Sequence, residues 1–170
     1  FLRSKYQAIE DSEQRWESYQ AEDADVVLVA YGISSRISKE AVNMARAEGF
    51  KLGLIRPITL WPYPVKAFET CKNAKAFMTV EINILGQMVD DVKLAVENKY
   101  PVGFYGTFFG LPEPEEIVAQ AKAMLEKDGY PAPTFRMDES ITDFYAFTKD
   151  SFSMENYQFH PFHFEIPMAI

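Results

Sequence analysis

Cysteine is almost absent. Cys71 is the single one in 170 residues, so no intrachain disulfide and no cysteine-held metal or iron–sulfur site can form. A lone thiol fits a reducing compartment, and a cytoplasmic location is expected. Histidine is nearly as scarce: His160 and His163 are the two, and none stands in the first 159 residues. Catalytic sets that rest on an imidazole are therefore excluded over most of the chain. Basic residues are outnumbered, 17 Lys and Arg against 25 Asp and Glu, which gives a formal charge of −8. Nucleic-acid binders carry a basic surface, so nucleic acid is not an expected partner, although a small local anion site is compatible with this balance. No apolar run reaches the roughly 18 residues that a spanning helix needs, and no membrane role is expected. No signal-peptide pattern opens the chain. Phosphate-loop, Gly-x-Ser-x-Gly, His-Glu-x-x-His, Cys-x-x-Cys and EF-hand motifs are all missing. The chain opens on Phe1 and not on Met, so a fragment or processed piece is expected.

What the sequence does hold is aromatic and apolar surface. Aromatics make up 15%, with 14 Phe, seven of them between Phe135 and Phe164. A chain of this length can bury roughly 70% of its unfolded surface without a covalent staple. Composition divides it into three zones. Residues 1–24 are polar, with Leu2, Tyr6, Ile9 and Trp16 at helical spacing, and read as a lead-in helix. Residues 25–131 alternate apolar runs with amphipathic stretches, and residues 132–170 form an aromatic-rich extension. That extension is too apolar for a typical disordered tail and is expected to pack on its own domain or a partner.

The middle zone has the rhythm of βαβ units. Val26 to Tyr31 is an apolar run without alternation, as in a strand covered on both faces. A helix carrying Ile37, Ala41, Met44 and Ala45 follows and stops at Gly49. Strands are expected at 51–56, 76–81 and 102–105. Helices are expected after Pro62 and Pro64, around Met88 to Val96, and from Pro112 and Pro114 to Gly129. The result is an α/β fold with an open, mostly parallel sheet and helices on both faces.

Ligands of such sheets bind beyond the carboxyl ends of the strands, and four clusters map there. Gly32, Ser34, Ser35 and Arg36 form a strand-to-helix turn that could hold an anion or could be an ordinary serine-capped helix start. Arg56, Pro57 and Trp61 follow the next strand. Arg56 could grip a carboxylate or phosphate, or pair with Glu81, and Trp61 reads as a packing plug or an interface anchor. Glu81, Asn83, Gly86 and Gln87 form the third loop, where Glu81 could act as acid or base but has no histidine partner, or could fix loop backbone with Asn83. Phe108 and Phe109 sit in a Gly-bounded turn and suggest a protein contact. His160 and His163 flank Pro161, which argues against a shared metal, and Cys71 reads as a small core residue; no metal site is expected.

Several blocks together resemble a known family. They are Val27-Leu-Val-Ala-Tyr-Gly32 with Arg36, Gly53-Leu-Ile-Arg-Pro-Ile-Thr-Leu-Trp-Pro62, Glu81 with Gly86-Gln-Met-Val-Asp-Asp-Val92, and Pro112-Glu-Pro-Glu-Glu-Ile117. In combination they look like the C-terminal domain of the α subunit of 2-oxoacid:ferredoxin oxidoreductases, of the 2-oxoglutarate and 2-oxoisovalerate type. The resemblance implies a transketolase C-terminal-like, three-layer α/β/α domain with a five-stranded sheet. It implies a parent enzyme that decarboxylates a 2-oxoacid to an acyl-CoA and reduces ferredoxin. Thiamine diphosphate, Mg²⁺ and iron–sulfur clusters serve that enzyme, with CoA as co-substrate. None of these is expected on this chain alone, which lacks a Gly-Asp-Gly…Asn diphosphate motif and the cysteines for a cluster. The implied role is assembly of an oligomer, packed against the preceding thiamine-binding domain and a β subunit, without catalysis by the isolated chain. The alternative is a stand-alone α/β module that binds a phosphate-bearing ligand such as CoA at the Gly32–Arg36 turn.

Overall fold

The computed structural model describes residues 1–107 and 110–126 and the backbone of 134–136. Four helices and six strands follow in chain order. They are α1 (Leu2–Ser12), β1 (Trp16–Tyr19), β2 (Val26–Val29), α2 (Gly32–Ala47), β3 (Leu52–Pro57), β4 (Ala76–Glu81), α3 (Val89–Ala95), β5 (Val102–Thr107), α4 (Pro114–Glu126) and β6 (Thr134–Arg136). A single 3₁₀ turn, Val65–Thr70, takes the place of a helix between β3 and β4. The sheet order is β1-β3-β2-β4-β5-β6, and every neighbouring pair is parallel except β1 against β3.

Period-two alternation sorts each strand onto two cores. Val26 and Leu28 of β2, with Ala30 just past its end, enter one cluster with Ala41, Val42 and Ala45 of α2 and Ile117, Ala121 and Met124 of α4. Val27 and Val29 enter the opposite cluster with Phe68, Phe77, Met88 and Val92. All four residues of β2 are buried, as its unbroken apolar run requires of a strand covered on both faces. Three layers result. In β3 one position on the second face must be glycine. A Cβ on Gly53 would stand 2.6 Å from the Gln20 carbonyl oxygen and 2.7 Å from the Ala21 Cα.

Two further expectations change. The lead-in helix does not run to residue 24: it ends at Ser12, and Trp16–Tyr19 is a strand. Helical spacing held for Leu2, Tyr6 and Ile9, but Trp16 is drawn into the second core, and its strand pairs with β3 in the register Trp16↔Pro57, Glu17↔Arg56. The Thr59 loop locks that strand in place. The Arg15 N–H donates to Thr59 Oγ1 at 3.0 Å, and the Ile58 and Thr59 N–H groups donate to the Arg15 carbonyl at 2.9 and 3.2 Å. At the other edge the sheet continues past residue 131, because Thr134–Arg136 runs parallel to β5 as β6. The four strands expected from the residues are thus flanked by two short ones, β1 and β6. Among the described residues no helix is long and apolar enough to cross a membrane.

Candidate functional site

The strand order reverses at β2, whose chain successor β3 lies on one side and β4 on the other. The crevice at the carboxyl ends of β2 and β4 is the place where such sheets take ligands. Val29 pairs with Thr79, so Tyr31 and Glu81 stand two residues on at its two lips.

Glu81 is only 2% exposed. Its carboxyl oxygens accept from Asn83 Nδ2 at 2.9 Å and from the Met88 N–H at 3.0 and 3.2 Å. Asn83 Oδ1 in turn accepts from the Gly86 N–H at 2.7 Å. Gly86 needs its glycine twice: its φ is +69°, and a Cβ would lie 2.9 Å from the Phe104 ring. Glu81 and Asn83 therefore tie the third loop to the start of α3, while Gln87 is exposed. Two further groups face this acidic corner. Burial pushes the Asp91 carboxyl up, helped by Asp90 and Glu81. Burial also pushes the Tyr63 phenol up, helped by Asp91 and Glu81, and its hydroxyl is buried without a hydrogen-bond partner.

Arg56 does not pair with Glu81. Its Nη1 donates to Glu17 Oε2 at 2.9 Å, because the β1–β3 register sets the two side by side on one face. Arg56 Nε is buried and has no partner. Pro57 closes β3 and is buried opposite Trp16. Trp61 is 56% exposed, with the Tyr6 ring edge-on at 5.7 Å.

The first turn differs from a serine-capped start. Tyr31 is the N-cap and no side chain caps the helix. Gly32 takes φ +59°, and the Ser35 hydroxyl donates back to the Gly32 carbonyl at 2.8 Å. Ser34 and Ser35 are both buried, while Arg36 is exposed. Arg36 and Ser35 nevertheless meet Arg56. They line a cleft of about 330 Å³ together with Glu17, Ser18, Tyr19, Lys39 and Leu54. Sequence reasoning kept Arg36 and Arg56 apart and missed Lys39. A hint was available in the spacing, since positions 36 and 39 are neighbours on a helix face. Lys39 Nζ stands 4.5 Å from the centre of the Tyr19 ring.

Phe108 and Phe109, like His160 and His163, lie outside the described residues. Among the described residues no three metal-ligating side chains come together. Cys71 is buried in the second core, and that burial pushes its thiol up to about 11. Among the described residues the strand-end loops bring together the cations Arg36, Lys39 and Arg56 and a set of exposed apolar side chains.

Beyond the strand ends apolar side chains are also exposed: Tyr31, Ile33, Ile58, Leu60, Trp61, Ile82, Leu85 and Leu111 come from the four connections that follow β2, β3, β4 and β5, Ile33 from the first turn of α2.

This topology, with its rim of exposed apolar loops, defines a three-layer domain of the transketolase C-terminal type. A split-gene transketolase described as an inactive β4 tetramer shares the fold, with a TM-score of 0.55 at 24% identity over 66% of this chain and 41% of that one. Residues 24–117 match pyruvate:ferredoxin oxidoreductase core domain II, and the chain belongs to that family. The ketoisovalerate oxidoreductase subunit VorB of Methanothermobacter marburgensis is 51% identical over 96 residues, which is 56% of this chain and 27% of that protein. A 2-oxoglutarate:ferredoxin oxidoreductase from Magnetococcus marinus, solved with 2-oxoglutarate, coenzyme A and succinyl-CoA bound, aligns with a TM-score of 0.58. Its identity is 28%, over 69% of this chain and 21% of that one. The chain thus spans about a quarter of the length of these two oxidoreductase relatives.

Proposed function

We propose that this chain is a non-catalytic assembly domain of the α subunit of a thiamine-diphosphate-dependent 2-oxoacid:ferredoxin oxidoreductase. The observation that carries this reading is the rim of eight exposed apolar side chains at the carboxyl ends of the strands. Exposed apolar side chains gathered on the loops at one end of a sheet are costly in water and favour a contact with another protein surface. The partners are the thiamine-binding domain of the same subunit and a β subunit. The parent complex, an oligomer in the cytoplasm, converts a 2-oxoacid such as 2-oxoisovalerate or 2-oxoglutarate to an acyl-CoA and reduces ferredoxin through iron–sulfur clusters. Thiamine diphosphate, Mg²⁺ and the clusters are held elsewhere in that complex. Within it this domain positions loops and excludes water, a role that costs activity when removed although none of its groups touches the reacting atoms.

The test is made in the complex. The α subunit with and without the segment that corresponds to residues 24–126 is co-expressed with its β subunit. Loss of co-purification, or of acyl-CoA formation, is expected on deletion. A deleted complex that assembles and turns over at the intact rate removes the assembly reading.

A further inference from the structure

The cleft beside β1 is unlike the rest of the molecule. The chain carries −8 overall, yet Arg36, Lys39 and Arg56 face this one concavity against a single carboxyl, Glu17. Glu17 is spent on Arg56. No ion pair engages Arg36 or Lys39 among the described residues. Two of the three cations are already held in place. Lys39 rests over the Tyr19 ring at 4.5 Å, and the Tyr19 hydroxyl is fixed by donating to Asn43 Oδ1 at 2.8 Å. Arg56 is tied to Glu17 at 2.9 Å, and its Nε is a buried donor without an acceptor. Pre-placed cations lower the ordering cost of binding.

We propose that this cleft binds the phosphate group of a small phosphate ester. Two observations favour phosphate over a lone carboxylate. The local excess of two positive charges matches a dianion. Guanidinium forks beside an ammonium suit a tetrahedral group with several acceptor oxygens. A volume of about 330 Å³ leaves room for an organic body beside the phosphate, with Leu54 and the Tyr19 ring as apolar wall. The assignment moves the anion away from the backbone of the Gly32 turn to three side chains from α2 and β3. It stands or falls apart from the assembly reading, because the cleft residues are not those of the apolar rim.

The experiment is a titration of the 170-residue chain followed in ¹H–¹⁵N spectra at constant ionic strength. The probes are inorganic phosphate, glycerol 3-phosphate and adenosine monophosphate, with succinate as a dianion of equal charge. Saturable shifts are expected at the Ser18, Tyr19, Ser35, Arg36 and Lys39 amides. Succinate is expected to bind about tenfold more weakly than the esters, and Arg36→Gln to weaken the esters by about tenfold. Arg36 is exposed and unpaired among the described residues, so that variant should fold, with Lys39→Gln as a second. Esters that bind more tightly than inorganic phosphate support a phosphorylated metabolite, and equal binding supports free phosphate as the source of the same group. Shifts that do not saturate, that match those of succinate, or that persist unchanged in both variants overturn the proposal.

Discussion

The two ends of the sheet are built differently. Where the strands begin, the connections are tied by ion pairs: Asp25 to Lys75 at 2.8 Å, Asp23 to Arg46 at 2.6 Å, Glu48 to Lys122 at 2.5 Å and Glu97 to Lys99 at 2.5 Å. Arg46 adds two backbone clasps, donating to the Leu52 carbonyl at 2.8 Å and the Gln20 carbonyl at 2.7 Å. Where the strands end, the loops present Leu85 at 81% exposure, Trp61 at 56% and Leu60 at 52%. Polar order there lies beneath the surface in the Glu81–Asn83–Gly86 chain of hydrogen bonds and, on the β1 side, in the exposed Arg56–Glu17 pair. The difference teaches that the amino end is finished for water, whereas the carboxyl end keeps its apolar side chains outward over a rigid base. Local loop order and outward apolarity together are what a docking surface needs.

That contrast can be broken or sharpened by four measurements, ranked by expected effect. Leu60→Asp with Leu85→Asp should weaken association with the proposed partner subunits by about 2–4 kcal/mol, or roughly 30- to 1,000-fold. The unfolding free energy of this chain should move by less than about 0.5 kcal/mol, since both side chains are exposed. Unchanged pull-down of the β subunit would deny the carboxyl end its docking role. Next, Glu81→Ala should destabilise the chain by about 1–3 kcal/mol in urea titration, because it strands the buried Met88 N–H. Glu81→Gln, which keeps an acceptor, should cost less, and equal loss in both would refute the hydrogen-bond account. Third, Arg46→Ala removes the two carbonyl clasps and should cost about 1–2 kcal/mol.

The same variant carries a pH signature. Arg46 holds the Asp23 carboxyl below its ordinary 3.8, first through the hydrogen bond and then through charge. A lowered folded value means that this pair contributes above the unfolded value and that its contribution fades as pH falls through the folded one. The gap between the intact chain and Arg46→Ala should therefore narrow below about pH 4 and keep a floor from the carbonyl clasps. A gap that widens on acidification would contradict the pairing. Smallest of all, Lys75→Ala at the exposed Asp25 pair should change stability by about 0–0.5 kcal/mol, read from the thermal midpoint.

Much of the fold was legible because burial writes itself into composition. The unbroken run Val26–Val29 demands two covered faces, and Ala76–Glu81 is found as a strand over the span the sequence suggests. β1 was not legible. Four residues with Glu17 and Ser18 facing outward carry little strand pattern, and their order comes from the distant Thr59 loop. The site was half legible for the same reason. Gly32, Arg36, Arg56 and Glu81 could be placed at strand ends from topology alone. Their pairing could not, because Glu17, 39 residues before Arg56, reaches it only through the antiparallel register. Glu81 shows the converse, since its partners lie two and seven residues ahead in its own loop.

The antiparallel strand β1 also has a practical meaning for handling this protein. The family match begins at residue 24, after β1 has ended, so a chain cut to that boundary loses the strand that covers β3. β3 would then lie bare along the sheet margin with Leu52, Leu54 and Ile55, which are at most 4% exposed in the whole chain. Bare apolar margins template self-pairing, whereas the short strand that now forms the margin carries Glu17 and resists it. Residues 24–126 should therefore sediment as larger particles than residues 1–126 at equal concentration. Identical monomeric behaviour of the two would show that β3 tolerates its open side, and the first 23 residues would then be dispensable for solubility.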